Sequence, residues 1–158
     1  YEGFEDADEA ANALLDAYEQ AILAGGDPVG NSVISGNKAG ALTLLIDAFG
    51  GNGFNTLAEF QTKMSNAFIT YWVGATIGFA IPHIPGSTPV SNVIVSVPPI
   101  AFTIPYNPLS PPYPSTSFWI NTLSTLLTTQ IQGMTGLYSG VLNGSPVTLP
   151  WTGYFPSN

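Results

Sequence analysis

The last 95 residues of this chain, positions 64–158, contain no Asp, Glu, Lys or Arg. All ten acidic residues lie within the first 59 positions, the two lysines are Lys38 and Lys63, and arginine is absent. Soluble domains usually have about a quarter of their residues charged, whereas here the fraction is 8%. The surface of the C-terminal part must therefore consist of hydroxyl, amide, glycine, proline and aromatic groups, or be covered by another molecule. We expect this part to pack into an assembly.

Composition narrows the possible partners. A net charge of −8 without arginine predicts no nucleic-acid binding, since phosphate contacts need a basic surface, and it argues equally against docking on anionic lipid.

The uncharged stretch 67–81 has 15 residues, fewer than the about 20 that a membrane-spanning helix needs, so no membrane span is predicted. The absence of cysteine excludes disulfides and thiolate metal sites. The length fits one domain over residues 1–158.

The acidic half, residues 1–73, has the periodicity of three helices. The first covers residues 5–24 and begins with an acid cluster, where the helix dipole favours negative charge. Within this cluster, Asp6 and Asp8 resemble the start of a calcium loop, but no Gly or Glu follows at the spacing that such a loop needs. We therefore interpret the cluster as a solvated helix start.

The second helix is predicted over residues 37–49. The third begins at Thr56, because Thr56 and Glu59 make a capping-box pattern, and apolar residues at spacings of three and four carry it to Tyr71.

Beyond residue 73 the pattern changes to short β-prone segments, 74–81, 90–97 and 101–104. A proline-rich connector over residues 105–116 should be extended and stiff. A fourth helix is predicted from 116 or 117 to 132, and residues 133–158 should form turns and short extended segments that end in an aromatic tail. The predicted fold class is α+β: three to four helices packed on a small, mostly antiparallel sheet, with extended proline-rich arms.

The pattern also predicts which side chains share a face. In the segment 90–97, Val93, Val95 and Val97 alternate and should share one face. We therefore expect Asp at Val95 or Leu126 to damage folding. Trp151, in the aromatic tail, should contact a neighbouring subunit, so that Trp151→Ala weakens assembly with little loss of monomer stability.

His83 is the only histidine. The chain has the residue types of a Ser-His-Asp triad, with Asp47 as the acid. However, His83 lies between two prolines and no GxSxG motif is present. A histidine metal centre would lack further nitrogen ligands. We interpret His83 as a loop residue that supports a turn or an interface, and we predict no catalytic, metal-binding or cofactor-binding residue and no enzymatic activity.

Residues 149–153 read Leu-Pro-Trp-Thr-Gly and match the LPxTG sorting signal of Gram-positive surface proteins. In that family an apolar span and a basic tail follow the pentapeptide. Only residues 154–158 follow here, so we favour a chance match.

Several features together resemble the small virion structural proteins of tailed bacteriophages. They are an acidic helical half, the sequence Tyr-Trp-Val-Gly at 71–74, an uncharged Val/Pro-rich segment at 90–99, a Thr/Leu helix and the terminal Leu-Pro-Trp-Thr-Gly. The resemblance covers roughly residues 56–155. It implies a homo-oligomeric subunit of the neck, tail or capsid surface, located in the virion, whose partners are copies of itself and other virion proteins.

An extracellular filament or surface-layer subunit of a prokaryote is the alternative reading. Uncharged hydroxyl-rich surfaces avoid the cost of burying charge, and both kinds of assembly would use them. The side chains predicted to form the interface are Trp72, Val93, Val95, Tyr106, Tyr113, Trp151, Tyr154 and Phe155.

Overall fold

The structure is a computed structural model that describes residues 6–53, 55–102 and 116–156; for residues 116–119 only the backbone is described. Four helices and five strands lie in these ranges: α1 (Ala7–Leu23), β1 (Val33–Ser35), α2 (Lys38–Ala48), α3 (Leu57–Thr70), β2 (Thr76–Ile77), β3 (Thr88–Ser96), α4 (Thr116–Gln132), β4 (Thr135–Leu142) and β5 (Ser145–Thr152). The α+β fold class predicted from sequence is confirmed, with two small antiparallel sheets. No helix in the described part of the chain is both long and apolar enough to cross a bilayer.

The helix starts follow from local hydrogen bonding. Asp6 caps α1, because its carboxylate accepts the backbone N–H of Glu9 at 2.9 Å, which satisfies one of the free donors of the first turn. Thr56 and Glu59 form the predicted capping box at α3, with both reciprocal hydrogen bonds present. Asp6 thus acts as a helix cap, in agreement with the interpretation of the acid cluster as a helix start.

The apolar faces of α1, α2 and α3 pack against one another and form most of the core. Leu15, Leu45 and Phe68 are fully buried there. An aromatic cluster extends this core towards the sheets: it contains Tyr18, Phe68, Tyr71, Trp72 and Tyr154, with ring centroids 4.7–5.8 Å apart in edge-to-face contacts. Aromatic pairs prefer such arrangements, which add to the stabilisation from area burial.

The larger sheet has the strand order β3-β4-β5, and the smaller one pairs β1 with β2. A two-residue turn, Asn143-Gly144, joins β4 to β5, and both residues have positive φ. Asn-Gly is the strongest short sequence signal for such a hairpin. The extended segments and the turn predicted for residues 133–158 are present, but their pairing as one long hairpin was not predicted.

Two irregularities in β3 change which residues face the core. The register against β4 shifts between Pro89 and Ser91 and again between Ile94 and Ser96, so that Val90 and Val95 are unpaired bulge residues. Val95 is 63% exposed. Val93 is exposed as well, so this face of β3 points to solvent, and the core position that the expected damage from Asp at Val95 implies was wrong.

The remaining segments are partly described. The predicted strand at 74–81 is reduced to the two residues of β2, and residues 101–102 belong to no strand. Residues 103–115, and with them nearly all of the predicted connector, lie outside the described residues. Tyr106 and Tyr113 fall in this segment.

Candidate functional site

A groove lies where the small sheet meets strand β3. Its volume is about 420 Å³, and it is lined mainly by apolar side chains, among them Ile34, Trp72, Ile77, Phe79, Val93 and Ile94. Every residue that the described part of the chain contributes to its wall is uncharged. We call this feature the apolar groove.

Trp72 lines the apolar groove and belongs to the hydrophobic core. Its side chain is 5% exposed, and its Nε1–H donates a hydrogen bond of 2.9 Å to the hydroxyl of Tyr18. Burial raises the pKa of the Tyr18 phenol far above its ordinary value, although the hydrogen bond from Trp72 opposes this shift. Tyr18 is therefore neutral and serves as a fixed acceptor. The hydrogen bond to Tyr18 fixes the orientation of the indole, and little of its surface is exposed.

The rim of the groove exposes large apolar side chains to solvent. Ile34 on β1 is 66% exposed, Val93 on β3 is 49% exposed, and Phe79 between the two sheets is 45% exposed. A single exposed apolar side chain is ordinary, whereas a contiguous apolar patch marks an interaction surface. The groove is thus the described feature best suited to bind another molecule.

Asn92 connects the groove to a buried polar network. It lies in the groove wall, and its side-chain oxygen accepts the Nε1–H of Trp151 at 2.7 Å. Its Nδ2 donates to the carboxylate of Asp27 at 2.9 Å and to the carbonyl of Gly78 at 3.1 Å. The network therefore sets the position of β3 relative to the helical half.

Asp27 is the centre of this network and the only buried acid among those that the structure describes. The turn of residues 27–31 presents three backbone N–H groups to its Oδ1, from Val29, Gly30 and Asn31, at 3.0–3.1 Å. Gly30 has a φ of 102°, which a side chain would strain. Burial alone would raise the pKa of Asp27, but the hydrogen bonds from Asn31, His83, Asn92 and Val29 together outweigh it and leave this pKa below its ordinary value.

His83 contacts the other carboxylate oxygen. Its Nε2 lies 2.7 Å from Oδ2 of Asp27, and both side chains are almost completely buried. Because an ionised carboxylate only accepts hydrogen bonds, Nε2 carries a proton. The imidazole stacks on the indole of Trp151, with ring centroids 5.9 Å apart, and lies 5.1 Å from the ring of Tyr138. His83 is therefore a buried core residue.

The acid that pairs with His83 was not the one considered from sequence. Asp47 lies instead 3.2 Å from Nζ of Lys63. Asp27 was missed because 56 positions separate it from His83, and only the fold brings the two together. The sequence Asp-Pro-x-Gly-Asn at 27–31 could have pointed to Asp27, since Asp side chains accept hydrogen bonds from the backbone of such turns. Of the serines, Ser87 comes near the site, and its hydroxyl is bonded to the hydroxyl of Tyr138.

The lowered pKa of Asp27 predicts a specific dependence of stability on pH. A carboxyl group whose pKa is lower in the folded state stabilises the protein above its unfolded pKa, and this contribution is lost as pH falls through the folded value. We expect the unfolding free energy, measured by urea titration, to decrease from about pH 4 downward. Asp27→Asn should be less stable at pH 7 and show a shallower decrease in acid than wild type.

Asp8→Asn is the matched control, because Asp8 is exposed and should retain the wild-type pH dependence. Equal acid sensitivity of wild type and Asp27→Asn would contradict the assignment of this titration to Asp27.

The structure describes six of the eight predicted interface residues and places them in three environments. Trp72 and Val93 meet in the apolar groove. Val95 and Phe155 are exposed, at 63% and 50%, outside its lining, whereas Tyr106 and Tyr113 lie outside the described residues. Trp151 and Tyr154 are buried in this chain's own core, which corrects their assignment to a projecting tail.

The correction has a clear structural reason. Trp151 lies on β5, opposite Gly136 of β4, and a side chain at Gly136 would collide with the indole. The hydroxyl of Tyr154 donates to the carbonyl of Ile22 and accepts the N–H of Val33, so the chain end is fastened to α1 and β1. The LPxTG-like residues 149–152 likewise lie within the paired strand β5.

Among the described residues, no three or more His, Cys, Asp or Glu side chains come together in a way that could hold a metal ion. Comparison of the chain with protein-family models, with curated proteins and with solved structures finds no match.

Proposed function

We propose that this protein is a structural subunit of a virus particle that acts by homo-oligomeric assembly. The observation that supports this function best is the apolar groove, whose exposed rim side chains lie in an uncharged surface. Its location in the neck, tail or capsid surface of a tailed phage rests on the sequence resemblance, as does the proposal that other virion proteins are its partners.

Physical chemistry favours assembly at this surface. Burying apolar area stabilises a contact by roughly 25 cal/mol per Å², and Ile34, Phe79 and Val93 offer such area. Charged side chains are concentrated on the helices, where Lys38 pairs with Asp16 at 2.5 Å. Covering the groove would therefore desolvate no charge, which removes the main cost of burying a polar surface.

A prokaryotic filament or surface-layer subunit is the alternative. Many filaments grow by adding a strand to an exposed sheet edge, since an open edge presents unpaired N–H and C=O groups. Here both edge strands of the larger sheet contain proline, Pro89 on β3 and Pro146 and Pro150 on β5, and β3 is bulged as well. Proline removes donors from an edge. The edges of the larger sheet thus favour assembly through side-chain surfaces over assembly by strand addition.

Sedimentation and native mass spectrometry test the assembly itself. We expect oligomers of the wild-type chain whose population rises with concentration. Val93→Asp should weaken the association constant at least tenfold, because it places a charge in the contact, while changing the unfolding free energy by less than about 1 kcal/mol, as for other exposed positions.

Val141→Asp is the matched control, because Val141 is also partly exposed but lies outside the groove lining. A chain that remains monomeric at high concentration would contradict the proposed function. Electron microscopy of the oligomers then separates the two candidates, since closed rings indicate a particle component and open-ended growth indicates a filament.

A further inference from the structure

Lys63 lies where an amine, a primary amide and a carboxylate meet. Its Nζ donates a hydrogen bond of 2.7 Å to Oδ1 of Asn55 and lies 3.2 Å from Oδ2 of Asp47. Asn55 is buried, with 8% of its surface exposed, whereas the side chains of Lys63 and Asp47 are 34% and 31% exposed. The nucleophile, the acyl group and the base of an amide-forming reaction are therefore adjacent.

The backbone at the end of α2 fixes the amide of Asn55. Its Nδ2 donates to the carbonyl of Asp47 at 2.8 Å and to that of Ala48 at 3.0 Å, which uses the two donors of the amide. The carbonyl side of the amide therefore faces Lys63. A C=O bond is about 1.23 Å long, so Nζ lies within about 4 Å of the carbonyl carbon Cγ.

This arrangement favours attack of the amine on the amide, a reaction that is very slow between free molecules. Well-oriented groups within one molecule reach effective concentrations of roughly 10⁵–10⁸ M. Water, the competing nucleophile, has little access to the buried carbonyl of Asn55. The site therefore favours transfer of the acyl group to Lys63 over hydrolysis.

The transfer accounts for every atom. The Asp47 carboxylate accepts a proton from the ammonium of Lys63, because only the neutral amine has a lone pair for attack. A bond forms between Nζ and Cγ, and the bond between Cγ and Nδ2 breaks. Of the three protons on Nζ, one stays on the new amide, one leaves on Nδ2 as ammonia and one passes to solvent. Nothing is oxidised or reduced, so the step needs no co-reactant.

The other lysine has different partners. Nζ of Lys38 lies 2.5 Å from the carboxylate of Asp16 and 3.6 Å from that of Glu19. An ionised carboxylate does not acylate an amine, because it repels the lone pair and has no leaving group. The two lysines of the chain thus provide a reactive site and an internal control.

We propose that Lys63 and Asn55 become joined by an intramolecular isopeptide bond, with Asp47 as the catalytic base. The bond closes a ring over residues 55–63, which contains the capping box of α3, and such a cross-link stabilises a fold mainly by restricting the unfolded chain. Because the reaction takes place within one chain, it does not depend on the proposed assembly.

Trypsin digestion with mass spectrometry tests the bond in the full chain. Trypsin cleaves after lysine or arginine with a free side chain, and the chain contains only Lys38 and Lys63. After prolonged incubation of the folded protein, followed by denaturation, we expect cleavage after Lys38 and none after Lys63. The product 39–158 should be lighter than its sequence by one ammonia, and fragmentation should locate the link between Asn55 and Lys63.

Two results would overturn the proposal. A chain of full mass that trypsin cleaves after both lysines carries no such bond. A chain that has lost ammonia but is still cleaved after Lys63 has formed a succinimide instead, for which the Asn-Gly pairs at 52–53 and 143–144 are the candidates.

Variants assign the roles of the side chains, with circular dichroism as the check on folding. Lys63→Arg keeps a positive charge beside Asp47 and should abolish the loss of ammonia; a loss that persists would place the reaction elsewhere and overturn the proposal. Asp47→Asn should slow bond formation at least about 100-fold, as expected for removal of a general base. Asp16→Asn, which removes the matching partner of Lys38, should leave the rate unchanged. Equal rates in Asp47→Asn and wild type would overturn the role of Asp47.

Discussion

Replacing Asp27 with alanine is expected to lower the free energy of unfolding by several kcal/mol, because each buried donor left without an acceptor costs about 1–3 kcal/mol. The substitution would leave three backbone N–H groups, the amide of Asn92 and the imidazole of His83 without their acceptor. Unsatisfied buried donors lose their full solvation. Urea titration followed by tryptophan fluorescence measures the loss.

Asp8→Ala is the control for Asp27→Ala, since Asp8 is exposed near the start of α1 and its removal should cost far less. The double variant Asp27→Ala/His83→Ala completes a mutant cycle. The cycle separates the contribution of the Asp27–His83 contact to the unfolding free energy from that of the hydrogen bonds in the turn 27–31. A loss below about 1 kcal/mol for Asp27→Ala, at pH 7, would mean that the network contributes little to folding.

Replacing Trp151 with alanine should cost about 3–5 kcal/mol of stability, as for other large core aromatic residues. The indole is 5% exposed, its Nε1–H bonds to Asn92 at 2.7 Å, and its ring stacks on His83. The loss should appear in thermal unfolding of the monomer as well as in any assembly assay. This expectation reverses the one drawn from sequence, which treated Trp151 as part of a contact arm.

Val95→Asp is the companion variant for Trp151→Ala. Because Val95 is a bulge residue that is 63% exposed, its replacement should change the unfolding free energy by less than about 1 kcal/mol. A marginal effect of Trp151→Ala together with a large effect of Val95→Asp would show that the sheet faces are assigned the wrong way round.

The Asp27 network explains how the two halves of the chain form one fold. Asp27 and Asn31 follow α1, His83 follows β2, Asn92 lies on β3 and Trp151 on β5. The hydrogen bonds of Asp27 with His83 and Asn92, and of Asn92 with Trp151, therefore join segments distant in sequence. The protein's only histidine is used for this purpose, which agrees with the interpretation of His83 as a supporting residue while placing it in the core.

Local signals predicted the helices well. The capping box at Thr56 and Glu59 and the glycines after the first two helices act through contacts within a few residues. They therefore mark helix ends whatever the rest of the fold is. The strands were harder to predict, because their pairing partners and bulges depend on distant segments. The hairpin at Asn143-Gly144 could have been recognised from its turn residues, which would have placed Trp151 in a paired strand.

Two residues of the candidate site were predicted from sequence. Trp72 and Val93 were predicted as interface residues, and both line the apolar groove. Ile34 and Phe79 were not predicted, because nothing in the sequence near them shows that the small sheet of β1 and β2 lies beside β3. Trp151 and Tyr154 were wrongly grouped with them, since an uncharged aromatic segment can form either a contact arm or a core strand.

By itself the sequence determined that charge is confined to the first 63 residues, that four helices form, and that the remaining surface is neutral. These properties are set by residue type and local spacing. Only the tertiary structure decided which neutral side chains became core and which remained at the surface. Two bulges in β3 turn valines outward, the β4–β5 hairpin buries Trp151, and the Asp27 network fixes Asn92 at the edge of the groove. Such choices depend on register and long-range pairing, because a shift of one residue moves a side chain to the opposite face of a sheet.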